Sequence, residues 1–428
     1  MNSMQKSMLQ WNEMYPYSAA HVVQISGTLD TTRLQACIDA TLATRGMTCL
    51  RLDHDHFTFQ YESGNASCQF RTIAGDEGPQ CAMVAEIQRQ LNLPFEHTRK
   101  FSPFRFLVAP ANNSFFLGLV YFHPTADAES VVWLLREIVN CYLQSNTPGF
   151  MDGFELYPDN RTHLLRHHSV VVARKLLSLP SQTLNLRHSH RAPCRDANDM
   201  SNGFECFSLE ADDLRWMVAM SKSWNITVND LLMALLMKSL SPLSAVRAQA
   251  RKRRKLSLGC IVNLRKDLGI DSPRVFGVFL GSFVVTHDVP NGIGLRNLAA
   301  DLAKQTASIK RQKLYVASSL ELSLGRFMFK LFSPDRQKKF YPKHYPLWAG
   351  ITNMNLNSIW DETESNAPLD YFRGVSTGPV TPLVLSVTTI RDRLNLGVSY
   401  RKAVFSKNDI TNLQCRFRQH LEETKKAA

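Results

Sequence analysis

Every position from Phe115 to Phe122 (FFLGLVYF) is apolar or glycine, and His123 follows directly. A run of this kind predicts a buried strand. The Pro110-Ala-Asn-Asn113 segment before it is turn-forming and predicts a connection to a second strand over 103–109. Just beyond, Val131, Val132, Leu134, Leu135, Ile138, Val139 and Tyr142 cover more than half the circumference of a helix over 128–144, which must be largely buried.

The same reading extends to the rest of the chain. A strand over 19–27 leads through Thr28-Leu29-Asp30 into Leu34, Cys37, Ile38 and Leu42 at helical spacing, with Gly46 as the stop. Short strands follow at 57–61 and 69–73, then a helix over 80–92. From about 145 to 203 the periodicity lapses into a stretch rich in His, Arg, Pro, Asn and Ser, read as a bridge. The pattern restarts with a strand at 204–208 and helices at 210–222 and 228–240. The second helix opens on Thr227-Val-Asn-Asp230, a capping box with Asp in place of Glu. A strand over 256–263, a helix over 294–313, strands near 348–354, 383–390 and 394–401, and a helix over 407–424 complete the series. The expectation is an α+β protein without short repeats, divided into an N-terminal subdomain (1–165), a basic bridge (166–203) and a C-terminal subdomain (204–428).

Composition narrows this. A chain of 428 residues is too long for one ordinary core, and 44% apolar with 20% charged residues excludes a disordered protein. The net charge of +13 favours acidic partners: nucleic acid, anionic membrane, phosphorylated cofactors or acidic carrier proteins. The 9 cysteines are scattered and never spaced as C-x-x-C, which excludes a disulfide framework and a zinc knuckle and suits a reducing compartment. Neither a signal-peptide core nor a membrane-length apolar stretch is present, so a soluble, cytoplasmic monomer is expected.

Candidate chemistry concentrates at His123-Pro124-Thr125-Ala126-Asp127. Among 13 histidines only His123 has an aspartate four positions on. An imidazole at the end of a buried strand, held extended by the following proline, suits proton transfer. The plain structural alternative is a satisfied strand-end histidine followed by Asp127 as a helix N-cap. Two later strand ends add to it: Val262-Asn263-Leu264-Arg265, followed by Phe276-Gly277, and Ile351-Thr352-Asn353-Met354-Asn355.

This order, together with the opening strand–Gly27-Thr-Leu-Asp30–helix and the Asn229-Asp230-Leu-Leu helix, resembles the condensation-domain and chloramphenicol-acetyltransferase-like superfamily over nearly the whole chain. The resemblance implies two chloramphenicol-acetyltransferase-like subdomains, mixed sheets flanked by helices, forming a V-shaped pseudo-dimer with a central cleft. It implies transfer of an acyl group from a thioester donor, acyl-CoA or acyl carrier protein, to a small-molecule alcohol or amine. His123 takes the place of the second histidine of the HHxxxDG motif as general base, with no covalent acyl-enzyme and no bound metal or permanent cofactor. Asp127 is structural and pairs with Arg265, and Asn353 orients substrate. The chain departs from the motif at Phe122, in place of the first histidine, and at Ala128, in place of the glycine. Both positions are expected at the substrate, with the Ala128 methyl narrowing a channel. No DFGWG signature of the plant acyltransferases is present.

Three other features carry less. Gly374-Val-Ser376-Thr-Gly378 matches the serine-hydrolase elbow, but Pro379 and Pro382 follow where that motif needs a helix. The run Arg251-Lys252-Arg253-Arg254-Lys255, with Arg247 before it, is either a solvated loop or a dock for coenzyme A phosphates or an acidic carrier; lacking an aromatic platform, it is not expected to bind nucleic acid. The histidines at 163, 167, 168, 188 and 190 have no accompanying carboxylate or cysteine set and read as part of the basic bridge. Two alternatives to an enzyme stay open: a catalytically inactive relative that only binds, and a basic interaction protein.

Overall fold

The computed structural model describes residues 1–62, 70–97, 100–144, 155–156, 169–270, 274–333, 336–337, 340–360 and 367–427. The strands of the first half are β1 (Ser18–Ser26), β2 (Cys49–Asp53), β3 (Thr58–Glu62), β4 (Phe70–Thr72), β5 (Phe104–Ala111), β6 (Ser114–Phe122) and β7 (Glu155–Leu156). Those of the second are β8 (Asn202–Leu209), β9 (Leu256–Asn263), β10 (Val275–Phe276), β11 (Leu280–His287), β12 (Ala349–Asn355), β13 (Asp370–Val375), β14 (Leu383–Ile390) and β15 (Arg393–Arg401). They build a five-stranded sheet in the order β13-β1-β6-β5-β4 and a six-stranded sheet in the order β11-β9-β12-β14-β15-β8.

The apolar run of β6 is buried at all nine positions because it lies inside the first sheet, antiparallel to β1 and β5, with both faces covered. One face packs on the helices Thr31–Thr44 and Ala128–Gln144 through Leu117, Leu119 and Tyr121. The other carries Phe116, Val120 and Phe122 against Met83 and Ile87 of helix Pro79–Gln90. In the second half, helix Val228–Leu240 is enclosed by the sheet and its neighbouring helices, and its ten buried residues include Leu231–Met237 without a break. Its capping box forms with Asp as expected: Thr227 Oγ1 accepts from the Asp230 N–H at 3.2 Å and Asp230 Oδ2 accepts from the Thr227 N–H at 2.9 Å.

Four elements near the cleft have no counterpart in the pattern reading: the helices Ser3–Met14 and Ser318–Lys330, and strands β11 and β13. The helix Ser169–Arg187 likewise occupies half of the 166–203 stretch read as a bridge. Strand β13 lies in the second half of the sequence but pairs with β1, so the second half lends a strand to the first sheet. Its crossing over β15 requires Gly397, where a Cβ would sit 1.9 Å from the Arg373 carbonyl oxygen. Among the described residues no single helix is long and apolar enough to cross a membrane.

Candidate functional site

Strand alternation decides which side chains of the first sheet reach the cleft. In register, Ala19 lies opposite both Tyr121 and Val375, and His21 opposite both Leu119 and Arg373. These residues share one face, and His123, two positions past Tyr121, extends it beyond the strand end. Below that end lies a mostly apolar cavity of about 200 Å³ whose wall includes His123, Tyr121, His21, Tyr17, Arg373 and Ala128. The second sheet contributes Gly259, Ile261 and Thr352, and helix Ser3–Met14 contributes Met4, Met8 and Trp11.

His123 is 8% exposed and opens a short 3-10 turn, His123–Thr125, whose fold-back is closed by the Ala126 N–H on the His123 carbonyl at 3.3 Å. Its Nδ1 lies 2.9 Å from the Ala126 carbonyl oxygen. A carbonyl only accepts, so Nδ1 carries the proton and Nε2 keeps its lone pair. Among the described residues Nε2 has no hydrogen-bond partner. Burial pushes the imidazole pKa below 6.5, outweighing the opposing pull of the Ala126 carbonyl and Asp127. The ring is thus neutral at neutral pH. Tyr17 stacks on it at a centroid distance of 5.4 Å and Tyr121 meets it edge-on at 5.6 Å, which fixes its plane.

Asp127 faces away from that ring. Its Oδ1 accepts from the Ser130 N–H at 3.0 Å, capping helix Ala128–Gln144, and from Arg265 Nη2 at 2.9 Å. Its Oδ2 accepts from Arg265 Nη1 at 2.7 Å and from the Phe279 N–H at 2.9 Å. The N-cap and the ion pair, alternatives in the sequence, are therefore the same residue doing both. Burial alone would raise the carboxyl pKa, but the Arg265 guanidinium and the converging N–H groups hold it below 3.8. Arg265 Nη2 also donates to Ser130 Oγ at 2.7 Å, and the guanidinium lies over the Phe279 ring at 4.5 Å. Ser130 Oγ donates to the Gly277 carbonyl and accepts from the Gly277 N–H, each at 3.0 Å. The cluster joins the first turn of the helix after β6 to the segments after β9 and before β11.

The other expected site residues scatter. Ala128 lines the cavity beside His123. Phe122 does not: as an even-numbered residue of β6 it points to the opposite face, where its ring packs on Phe95, His97 and Phe101. Asn353 is exposed, and it is its neighbour Thr352 that lines the cavity. Residues Arg251–Lys255 form a loop at the start of β9, the end opposite Arg265, about 23 Å away along the strand. Arg247 holds that loop through the Arg254 carbonyl at 2.9 Å, Arg253 donates to the Ser189 carbonyl at 3.1 Å, and Lys255 to Asn185 Oδ1 at 3.2 Å. Arg251, Lys252 and Arg254 are exposed. Among the described residues no group of three His, Cys, Asp or Glu could hold a metal; His163, His167 and His168 lie outside the described residues.

Tyr17, His21, Tyr121 and Arg373 escaped the sequence reading. Period-two alternation on β1 and β6 could have put His21 and Tyr121 on one face with His123. Nothing local marks Arg373, whose strand reaches the site from the other half of the chain.

The chain belongs to the condensation-domain family, whose model matches residues 1–427. Among solved structures it is similar to the first condensation domain of the calcium-dependent antibiotic synthetase in complex with a substrate analogue. That match has a TM-score of 0.72 and 14% identity, covering 98% of this chain and 95% of that one. It is also similar to the condensation domain of the monacolin K polyketide synthase MokA (0.69, 12%, covering 98% and 96%). A third is a substituted starter condensation domain of rhizomide synthetase in complex with C8-CoA and Leu-SNAC (0.67, 13%, covering 99% and 92%). No curated protein matches the chain. The fold is accordingly the α+β, two-subdomain, V-shaped arrangement expected from the sequence.

Proposed function

We propose that the protein transfers an acyl group from a thioester, carried by coenzyme A or an acyl carrier protein, to the hydroxyl or amine of a small acceptor, with His123 as general base. The observation that carries this is the unpartnered Nε2 of a buried, neutral imidazole at the cavity wall, its tautomer set by Ala126. Nε2 takes the acceptor proton as the acceptor oxygen or nitrogen bonds to the thioester carbonyl carbon. The C–S bond then breaks and the imidazolium returns the proton to the departing thiolate. No acyl-enzyme forms and no metal or resident cofactor takes part. Asp127 and Arg265 hold the two halves around this ring, and Ala128 shapes the passage beside it. The exposed cations of the 251–255 loop attract the donor's phosphates or an acidic carrier, the pantetheine arm spanning the distance to the cavity. Rhizomide synthetase's starter domain was captured with C8-CoA, which supports coenzyme A thioesters as first donors to try.

The test is turnover of the His123→Ala protein, read as acceptor-dependent thiol release from a panel of acyl-CoA donors. A loss of roughly 10²–10⁴-fold without a change in thermal midpoint is expected. Undiminished turnover overturns the mechanism.

A further inference from the structure

The cavity holds a second polar group that the proton transfer does not use. Arg373 is 3% exposed and forms part of the cavity wall. Its Nε donates to Thr388 Oγ1 at 2.9 Å and its Nη2 to the Val387 carbonyl at 2.6 Å. These bonds leave Nη1 without a hydrogen-bond partner among the described residues. No carboxylate offsets the charge. The ionisable groups facing it are His21, opposite it in register, with Tyr371 and Tyr121. Burial keeps His21 deprotonated and both phenols protonated, so all three are neutral. A guanidinium cannot shed its proton at any physiological pH. A buried cation left without an anion is unfavourable, and the rest of the wall is largely apolar.

We propose that Arg373 binds a carboxylate on one of the small-molecule substrates, the carboxylate accepting from Nη1. Identifying the ligand as a substrate rests on the acyl-transfer reading. The choice of anion rests on the site. Two of the five guanidinium N–H bonds are used within the protein, which leaves both on Nη1 and one on Nη2. The single charge matches a carboxylate monoanion, whereas a phosphate dianion would leave a charge unmatched. The rings of His21, Tyr121 and His123 follow one another at 5.6 Å steps, so Arg373 and the base lie at two ends of one polar line. A substrate anchored by its carboxylate at Arg373 thus presents a group further along its length to Nε2.

The experiment compares hexanoate with hexanamide by calorimetric titration of the intact protein. Each probe has eight non-hydrogen atoms, in keeping with a cavity of about 200 Å³, since an apolar cavity of ~150 Å³ takes benzene. Wild type should bind hexanoate at least tenfold more tightly than hexanamide, and Arg373→Gln should reduce that ratio below twofold. No preference in wild type overturns the proposal, and so does an undiminished preference in a folded Arg373→Gln protein. The wild-type comparison decides even where the variant fails to fold. In His123→Ala the preference should persist. Turnover retained by His123→Ala with the preference intact removes His123 as the base, and no acceptor-dependent thiol release from wild type removes the acyl-transfer reading, each while leaving the carboxylate site standing.

Discussion

Arg265 and Arg373 are each 3% exposed, yet their surroundings are opposite. Arg265 meets a carboxylate through two hydrogen bonds and a serine hydroxyl through a third. Arg373 meets only a carbonyl and a hydroxyl, with neutral rings around it. A buried arginine whose charge is met by its own anion can serve as a rivet between segments, even though Arg265 Nε has no partner among the described residues. One without an anion is an unfinished interaction, and the cavity is where it can be completed. The difference separates scaffold from recognition in a site where residue type alone would not.

Substituting each arginine by methionine exposes the contrast most strongly. Arg265→Met strands Asp127 as a buried anion, and the expected loss is about 3–5 kcal/mol. Arg373→Met removes two hydrogen bonds but also an uncompensated charge, so its net effect should stay within about 1 kcal/mol of zero. Urea unfolding of both proteins measures this. Equal losses would show that Arg373 is as structural as Arg265 and break the comparison.

Acid should take the two regions apart in sequence. His21 and His123 are both held below 6.5 in the fold, His21 by burial first and then by Arg373 and His123. Between the folded and unfolded pKa values the unfolded chain binds more protons, so stability falls as pH falls. That loss begins as pH drops through about 6.5. His21 and His123 supply its share on the Arg373 side, and His97, His190, His344 and His420, also lowered by burial, supply the rest. Asp127 is depressed below 3.8, so its contribution is complete above that value and disappears only as pH falls through the lower, folded pKa. Thermal midpoints across pH 4–8 should therefore decline from near 6.5 downward in wild type. His21→Gln should flatten part of that decline, whereas Asp127→Asn should lower the midpoint throughout without altering its slope in this range.

The finished cluster was far more legible in the sequence than the unfinished one. His123, Asp127 and Arg265 sit at ends of strongly patterned elements, and an ordered series of such ends carries a family resemblance. The two-subdomain fold followed from the same series. Phe122 lies outside the cavity because strand alternation overrides motif position: next to the cavity-lining Tyr121 on β6, it faces the other side of the sheet. Asn353 lies outside it for the same reason, one step from the cavity-lining Thr352. Arg373 depends on β13 leaving the second half to pair with β1, a long-range choice that six residues, Asp370–Val375, do not announce. Helix Ser3–Met14, which brings Met4, Met8 and Trp11 to the cavity, is rich in polar residues and depends instead on a capping box between Asn2 and Gln5.

The supporting hydroxyls offer the finest test of the contrast. Ser130 Oγ takes part in three hydrogen bonds, with Arg265 Nη2 and with both backbone groups of Gly277. Ser130→Ala leaves one N–H of a buried charged pair and a buried backbone N–H and carbonyl without that partner, so a loss of about 1–3 kcal/mol is expected. Thr388 Oγ1 accepts a single bond from Arg373 Nε. If the cavity already gives that guanidinium access to solvent or ligand, Thr388→Val should cost about 1 kcal/mol or less in stability. It should also loosen the arginine and so weaken hexanoate binding by a few-fold while leaving hexanamide unchanged. A Thr388→Val protein with the larger stability loss and no change in hexanoate affinity would make the Thr388 contact a rivet like that of Ser130, and would move Arg373 to the scaffold side.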